Sequence, residues 1–291
     1  MKLGLGTVQF GMDYGISNPG GKTAPDEVAR ILEIAVRNSI RILDTAALYG
    51  NSEQVLGAAL SANHGFSVVT KTPVYKGADI TADSAKLLEQ TFLRSLQNLG
   101  ITSAYGLLAH HTDDVLSPGG HLLIEKMQEL KQRGLVQKIG VSVYRAEQID
   151  RVLDKHTIDI IQLPLNVFDQ RLFLSGHLAK LKKAGIEIHA RSVFLQGLLL
   201  MEPASLPPYF DPIRNHLILY RNSIEHQGLT PIQAALGFVT GLAQIDAVIC
   251  GVTDHHQLQD LCDNMRPCDA TLFSPFAITD EGIINPSHWR L

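Results

Sequence analysis

Leu43-Asp44-Thr45-Ala46-Ala47-Leu48-Tyr49-Gly50-Asn51-Ser52-Glu53-Gln54-Val55-Leu56-Gly57 is the stretch that decides how this chain is read. Ahead of it, the apolar run Ile40-Arg41-Ile42-Leu43 reads as a buried strand. Behind it, Ser52 precedes Val55, Leu56, Ala59 and Leu60, which lie at helical spacing, and so marks a helix start. A carboxylate, Asp44, therefore closes a strand. A phenol, Tyr49, follows on a tight loop that Gly50 and Asn51 are suited to turn.

Outward from this unit the same alternation repeats. Short apolar runs occupy Leu3–Phe10, Ile40–Thr45, Ser67–Lys71, Ala104–His110, Val136–Val141, Ile158–Leu163, Ile186–Arg191 and Ile245–Cys250. Amphipathic helical patterns separate most of them, over Glu27–Asn38, Ala85–Leu99, Leu122–Arg133, Ala146–Leu153 and Leu172–Ala184. Continuous rather than alternating apolar strands imply a parallel sheet covered by helices on both faces. Eight such units in 291 residues predict a single (β/α)8 TIM barrel over residues 1–291. A doubly wound sheet would want a glycine fingerprint at the first strand–helix turn, and Gly4-Leu5-Gly6-Thr7 does not have that spacing. The longest interval, between the seventh and eighth runs, contains Pro203, Pro207, Pro208 and Pro212 and predicts an insertion over the barrel mouth at about 198–228.

In such a barrel the C-terminal strand ends carry the chemistry. Asp44, Tyr49, Lys71 and His110 all fall there. An ammonium beside a phenol stabilises the phenolate and lowers its pKa, and a carboxylate holds that ammonium in place. An imidazole can orient a carbonyl oxygen, so the set suits proton delivery to a carbonyl as hydride arrives. Taken singly, a strand-end Asp is often a helix cap and a strand-end Lys is often solvated; the joint pattern carries the reading.

Asp44-Thr45-Ala46, Tyr49-Gly50, Glu53 and Leu56-Gly57 together resemble the signature of the aldo-keto reductases, and Asp44, Tyr49, Lys71 and His110 follow that family's catalytic order. The resemblance runs through the rest of the chain. It implies cofactor contacts from Gly6, Thr7, Asp44, Ser142, Gln162, Arg191, Ser192, Gln196, Gly197, Gly251, Thr253, Asp254 and Gln257, and a substrate-pocket place for His111. It implies NADP(H) as the cofactor, with NAD(H) a close alternative. Leu5 to Ile16 is similar to bacterial members associated with surface polysaccharides, which suggests a sugar-derived aldehyde or ketone as substrate. Three positions depart from the family pattern. Val143 stands where Asn usually follows Ser142, and Arg191 stands where an aromatic ring usually stacks on the nicotinamide. Thr253 stands where a cation usually meets the 2′-phosphate, while the neighbouring Asp254 would repel a phosphate and accept from a ribose hydroxyl. Asp254 with Gln257 also reads as a capping box for the last helix.

The remaining features narrow the class. A net charge of −4 with no basic cluster gives no case for nucleic acid or an anionic membrane surface. Cys250, Cys262 and Cys268 lack metal spacing and read as structural thiols of a reducing, cytoplasmic compartment. His110 and His111 would point to opposite faces of a strand, which disfavours a shared metal ion. His255 and His256 read as exposed helix residues. The loop from Leu198 to Arg221 and Pro286-Ser287-His288-Trp289 are expected to shape the pocket. A small-molecule carbonyl substrate and a monomer or small homo-oligomer fit this picture. Two other readings stay open: a Schiff-base lyase that uses Lys71, and a cofactor-binding sensor with weak turnover.

Overall fold

The computed structural model describes residues 2–60, 65–75 and 79–290. Eight parallel strands close into a barrel in sequence order. They are β1 (Leu3–Gly6), β2 (Ile42–Asp44), β3 (Ser67–Lys71), β4 (Ala104–Ala109), β5 (Val136–Ser142), β6 (Ile160–Pro164), β7 (Glu187–Arg191) and β8 (Ala247–Gly251). Closure comes from β1 against β8, with Leu3 opposite Val248 and Gly6 opposite Gly251.

The helices form because their apolar faces match the outer face of this sheet. In Pro25–Arg37, Val28, Ile31, Leu32 and Ala35 are buried; Pro25 opens the helix, with Asp26 and Glu27 in its first turn and Arg37 in its last. Ala82–Leu99 is capped by Thr81, which exchanges hydrogen bonds with Ser84, and ends at Gly100 in the left-handed conformation (φ 66°). None of the described helices is long and apolar enough to cross a membrane.

Three expectations change in detail. The first apolar run is not one strand: β1 stops at Gly6, and Val8–Gly11 makes a helical turn. The pattern over Leu172–Ala184 is two helical pieces, Arg171–Leu174 and His177–Lys183, because Gly176 breaks it in the left-handed region (φ 78°). Between β7 and β8 lie 3-10 turns at Leu195–Leu200, Pro203–Ser205 and Pro208–Ile213, then helices Arg214–His226 and Pro231–Gly241. The mouth over the strand ends is covered mainly by Tyr14–Gly20 and by Gln196–Gly197; of residues 198–228 only Leu200 lines the cavity there.

Candidate active site

A cavity of about 700 Å³ opens at the C-terminal ends of the strands, within the range of small-molecule sites. Asp44, Tyr49, Lys71 and His110 all line it. Asp44 and Lys71 are the last residues of β2 and β3, and their side chains are almost wholly buried. Lys71 Nζ donates to Asp44 Oδ2 (2.7 Å), to the Thr45 carbonyl (2.9 Å) and to Tyr49 Oη (3.4 Å). The other Asp44 oxygen accepts from Gln162 Nε2 at 2.8 Å. The three N–H donors of the ammonium each meet an acceptor, so Lys71 is a fixed cation.

Two contacts seat the Tyr49 loop on the β1 turn. Ser52 Oγ donates to the Thr7 carbonyl at 2.8 Å, and Thr7 Oγ1 donates to the Asp44 carbonyl at 3.0 Å. The backbones also meet directly: a Cβ on Gly11 would lie 1.7 Å from the Tyr49 carbonyl oxygen, so no larger residue fits. Gly50 adopts a left-handed φ of 57°, in keeping with its turn assignment.

Electrostatics follow from burial and these partners. Burial pulls the Lys71 pKa down, but Asp44 and Tyr49 outweigh it and the net shift is upward. Burial raises the Tyr49 pKa, and the opposing pull of Lys71 does not reverse it. That differs from the expectation that the ammonium would lower the phenol: loss of hydration of the phenolate is the larger effect in so enclosed a place. His110 is pushed down to about 3, by burial first and then by Lys71, His111 and Arg191. Its imidazole is therefore neutral near pH 7. Its Nδ1 is buried with no partner among the described residues, and its ring meets Tyr49 edge-on at 5.8 Å.

Most of the other expected residues line the same cavity: Gly6, Thr7, Ser142, Gln162, Arg191, Ser192, Gln196, Gly197, Gly251, Thr253 and Gln257. Two do not. His111 lies outside the lining, and β4 ends at Ala109, so strand alternation no longer governs the pair: the His110 and His111 rings stack at 5.1 Å instead of facing apart. Asp254 is occupied as the cap of helix His255–Asp263, accepting from Gln257 N–H at 2.9 Å. Gln257 Oε1 in return accepts from Thr253 N–H (3.0 Å), one residue earlier than a capping box would have it. Asp260 is the carboxylate that lines this end. Trp289 packs on Phe210 at 4.9 Å and lies outside the lining, as do Pro286, Ser287 and His288.

Several lining residues escaped the sequence reading: Gln9, Tyr14, Ser17, Asn18 and Tyr144. Tyr14 lies on the loop after the first strand, and Tyr144 follows the end of β5 directly; the rule that strand-end loops build the site was the available signal. The loop after β7 carries Ser192, Leu195 and Gln196 at φ of 59°, 50° and 54°, followed by Gly197 at 96°. Non-glycine residues held there cost about 1 kcal/mol or more each, and such strain clusters at functional sites. Ser17 Oγ donates to the Gln196 carbonyl (3.5 Å) and Gln196 Nε2 to Tyr14 Oη (3.3 Å), so the two loops meet above the cavity.

The first turn of helix His255–Asp263 contributes Gln257 to the cavity wall, together with Gly6, Gly251 and the loop after β7, and a helix N-terminus beside glycine backbone suits a phosphate-bearing ligand. Gly251 lies against the end of the Gln9 side chain: a Cβ there would come within 2.5 Å of Gln9 Oε1, an oxygen buried without a partner among the described residues. That orphaned acceptor and the bare glycine backbone fit a bound ligand with hydrogen-bond donors.

The chain belongs to the aldo/keto reductase family, whose model matches residues 2–271. It is similar to the uncharacterized oxidoreductase YqkF of Bacillus subtilis, 26% identical over 212 residues that cover 69% of this chain and 63% of that protein. The aldo-keto reductase YhdN of the same organism is 29% identical over 180 residues, 59% of this chain and 52% of that one. The matched segments thus span about half to under two thirds of these curated relatives. Among solved structures, aldo-keto reductase AKR11C1 from Bacillus halodurans superposes with a TM-score of 0.76 at 21% identity, covering 99% of this chain and 94% of that one. The glycerol dehydrogenase AKR11B4 from Gluconobacter oxydans gives 0.71 at 20% identity over 100% and 93%. At that identity the likeness speaks to the barrel itself.

Proposed function

We propose that the protein is an NAD(P)H-dependent reductase of aldehydes or ketones. The observation that carries this is the hydrogen-bonded Asp44–Lys71–Tyr49 chain, with neutral His110 beside it, in the lining of a cavity of about 700 Å³. Gly251, Thr253 and Gln257 would hold the adenosine side of the cofactor, and Ser142 and Gln162 the nicotinamide side. When bound, the nicotinamide supplies a hydride to the carbonyl carbon. Tyr49 Oη gives its proton to the carbonyl oxygen, so the C=O π bond is replaced by one C–H and one O–H bond. Lys71 stabilises the phenolate left behind, and Asp44 keeps Lys71 charged and in place. His110, uncharged, holds the carbonyl oxygen by a hydrogen bond.

The three N–H donors of Lys71 are all engaged and its pKa is raised, which argues against a Schiff-base nucleophile. Charge along the cavity favours NAD(H) over NADP(H). Among its described lining residues the cations are Lys71 and Arg191, and Arg191 reaches to the Val143 carbonyl beyond β5, away from β8. The wall near β8 offers Thr253, Gln257 and Asp260, with a carboxylate but no cation for a 2′-phosphate. Titration with each reduced nucleotide, followed by nucleotide fluorescence because Trp289 lies away from the cavity, should give at least tenfold tighter binding of NADH. Tighter NADPH binding would overturn the cofactor preference, and failure of both to bind would remove the reductase reading.

A further inference from the structure

Among the described residues two cations line the cavity, and they differ in one respect. Lys71 is balanced by Asp44 at 2.7 Å. Arg191 is balanced by nothing: its Nη1 donates to Ser192 Oγ (3.2 Å) and its Nη2 to the Val143 carbonyl (3.2 Å), both neutral. Among the described residues no carboxylate pairs with it. One guanidinium face lies on the Tyr144 ring, 4.2 Å from the centroid, which fixes the plane without neutralising the charge. A guanidinium has five N–H groups and stays charged at any relevant pH, so these contacts leave donors and a full positive charge for a ligand. The group is partly buried, where an unmatched charge is costly. The charge also reaches the reacting end of the cavity, since Arg191 is among the groups that act on both Tyr49 and His110.

We propose that Arg191 anchors an anionic group of the substrate, so that the compound reduced here carries a carboxylate as well as the carbonyl. A carboxylate matches the single unbalanced charge and the planar fork of the guanidinium. A phosphate monoester, near two negative charges at pH 7, would leave one uncompensated. A neutral sugar carbonyl would leave Arg191 unpaired. This inference rests on the reductase reading above and adds the substrate class to it.

The test compares two aldehydes of equal length, 4-oxobutanoate and butanal, with the wild-type protein, Arg191→Met and Arg191→Lys. Wild type should favour 4-oxobutanoate in kcat/KM by tenfold or more. Arg191→Met should bring the ratio of the two to within about threefold of unity, and Arg191→Lys should keep most of the preference. Scoring the ratio cancels any loss of cofactor affinity common to both substrates. An unchanged ratio in Arg191→Met, or no wild-type preference, overturns the proposal. If neither aldehyde is reduced, the reductase reading fails separately, and calorimetric titration with succinate decides the anion site. Binding to wild type that disappears in Arg191→Met supports it, and no binding to wild type rejects it.

Discussion

Two clusters of tyrosine, lysine, carboxylate and histidine stand on this barrel, one at each end. At the C-terminal end are Tyr49, Lys71, Asp44 and His110. Near the N-terminal end are Tyr105 on β4, Lys138 on β5, and Glu187 and His189 on β7. Even a detail repeats: Lys71 Nζ lies 5.0 Å from the Tyr49 ring centroid and Lys138 Nζ 4.9 Å from that of Tyr105. The wiring differs. In the upper set the lysine holds both the carboxylate and the phenol oxygen, and the phenol lines the cavity with its own proton uncommitted to a carboxylate. In the lower set Tyr105 Oη donates to Glu187 Oε2 at 2.7 Å, His189 Nε2 meets Glu187 Oε1 at 2.7 Å, and Lys138 pairs with the same carboxylate. None of these four residues lines the cavity. The same residue types therefore leave a phenol facing a ligand space in the upper set, where it is the proposed proton donor, and bind a phenol to an internal carboxylate in the lower set.

The sharpest way to break this contrast is to remove the upper cation. Lys71→Met strands Asp44 as a buried carboxylate, which costs about 3–5 kcal/mol when a partner is deleted. Turnover should fall about 10²–10⁴-fold along with it, because Tyr49 loses the charge that accepts its phenolate. Urea unfolding and aldehyde reduction measured on the same preparation check both halves. A variant within 1 kcal/mol of wild type with normal turnover would show that the ion pair is incidental.

Loss of the lower carboxylate should act on stability alone. Burial raises the Glu187 pKa, but hydrogen bonds from His189, Lys138 and Tyr105 outweigh it and bring it from 4.5 to about 2. A depressed carboxyl pKa contributes stability that is fully present above the unfolded value of about 4.5 and is lost as pH falls toward 2. A shift of that size corresponds to about 3 kcal/mol, and the side chain is only 16% exposed. Glu187→Gln should therefore be less stable by roughly this amount near pH 7, with a flatter decline between pH 4.5 and 2, while kcat/KM stays within about threefold. Urea midpoints across that range decide the point; acid curves that run parallel in wild type and variant would assign the stabilisation elsewhere.

What could be read from the chain divides along the same line. The upper set was legible because Asp44 and Tyr49 sit in one short motif, and because Lys71 and His110 close apolar runs. Ser67–Lys71 was bounded correctly, since Gly65 precedes it and Pro73 follows soon after. Leu3–Phe10 overran, because an apolar run alone cannot separate a strand from the helical turn Val8–Gly11 that follows it. The lower set left no local trace. Tyr105, Lys138, Glu187 and His189 come together only through register: Gly106 opposite Lys138, Ile160 opposite Glu187 and Gln162 opposite His189. Tyr14 and Tyr144 were missed because loop residues carry no periodicity, and His111 was misplaced because β4 ends one residue before His110. The net upward shift of Tyr49 depended on how deeply the loop is enclosed, which spacing does not encode.

The most direct measurement applies one substitution to both ends. Tyr49→Phe and Tyr105→Phe each remove a single phenolic oxygen, and each variant is assayed for aldehyde reduction with NADH and for NADH binding by nucleotide fluorescence. We expect Tyr49→Phe to lose at least about 100-fold in turnover while still binding nucleotide, and Tyr105→Phe to keep its turnover with a stability loss of about 1 kcal/mol. Undiminished turnover in Tyr49→Phe, or an equal loss in Tyr105→Phe, would contradict the assignment of proton delivery to the upper end of the barrel.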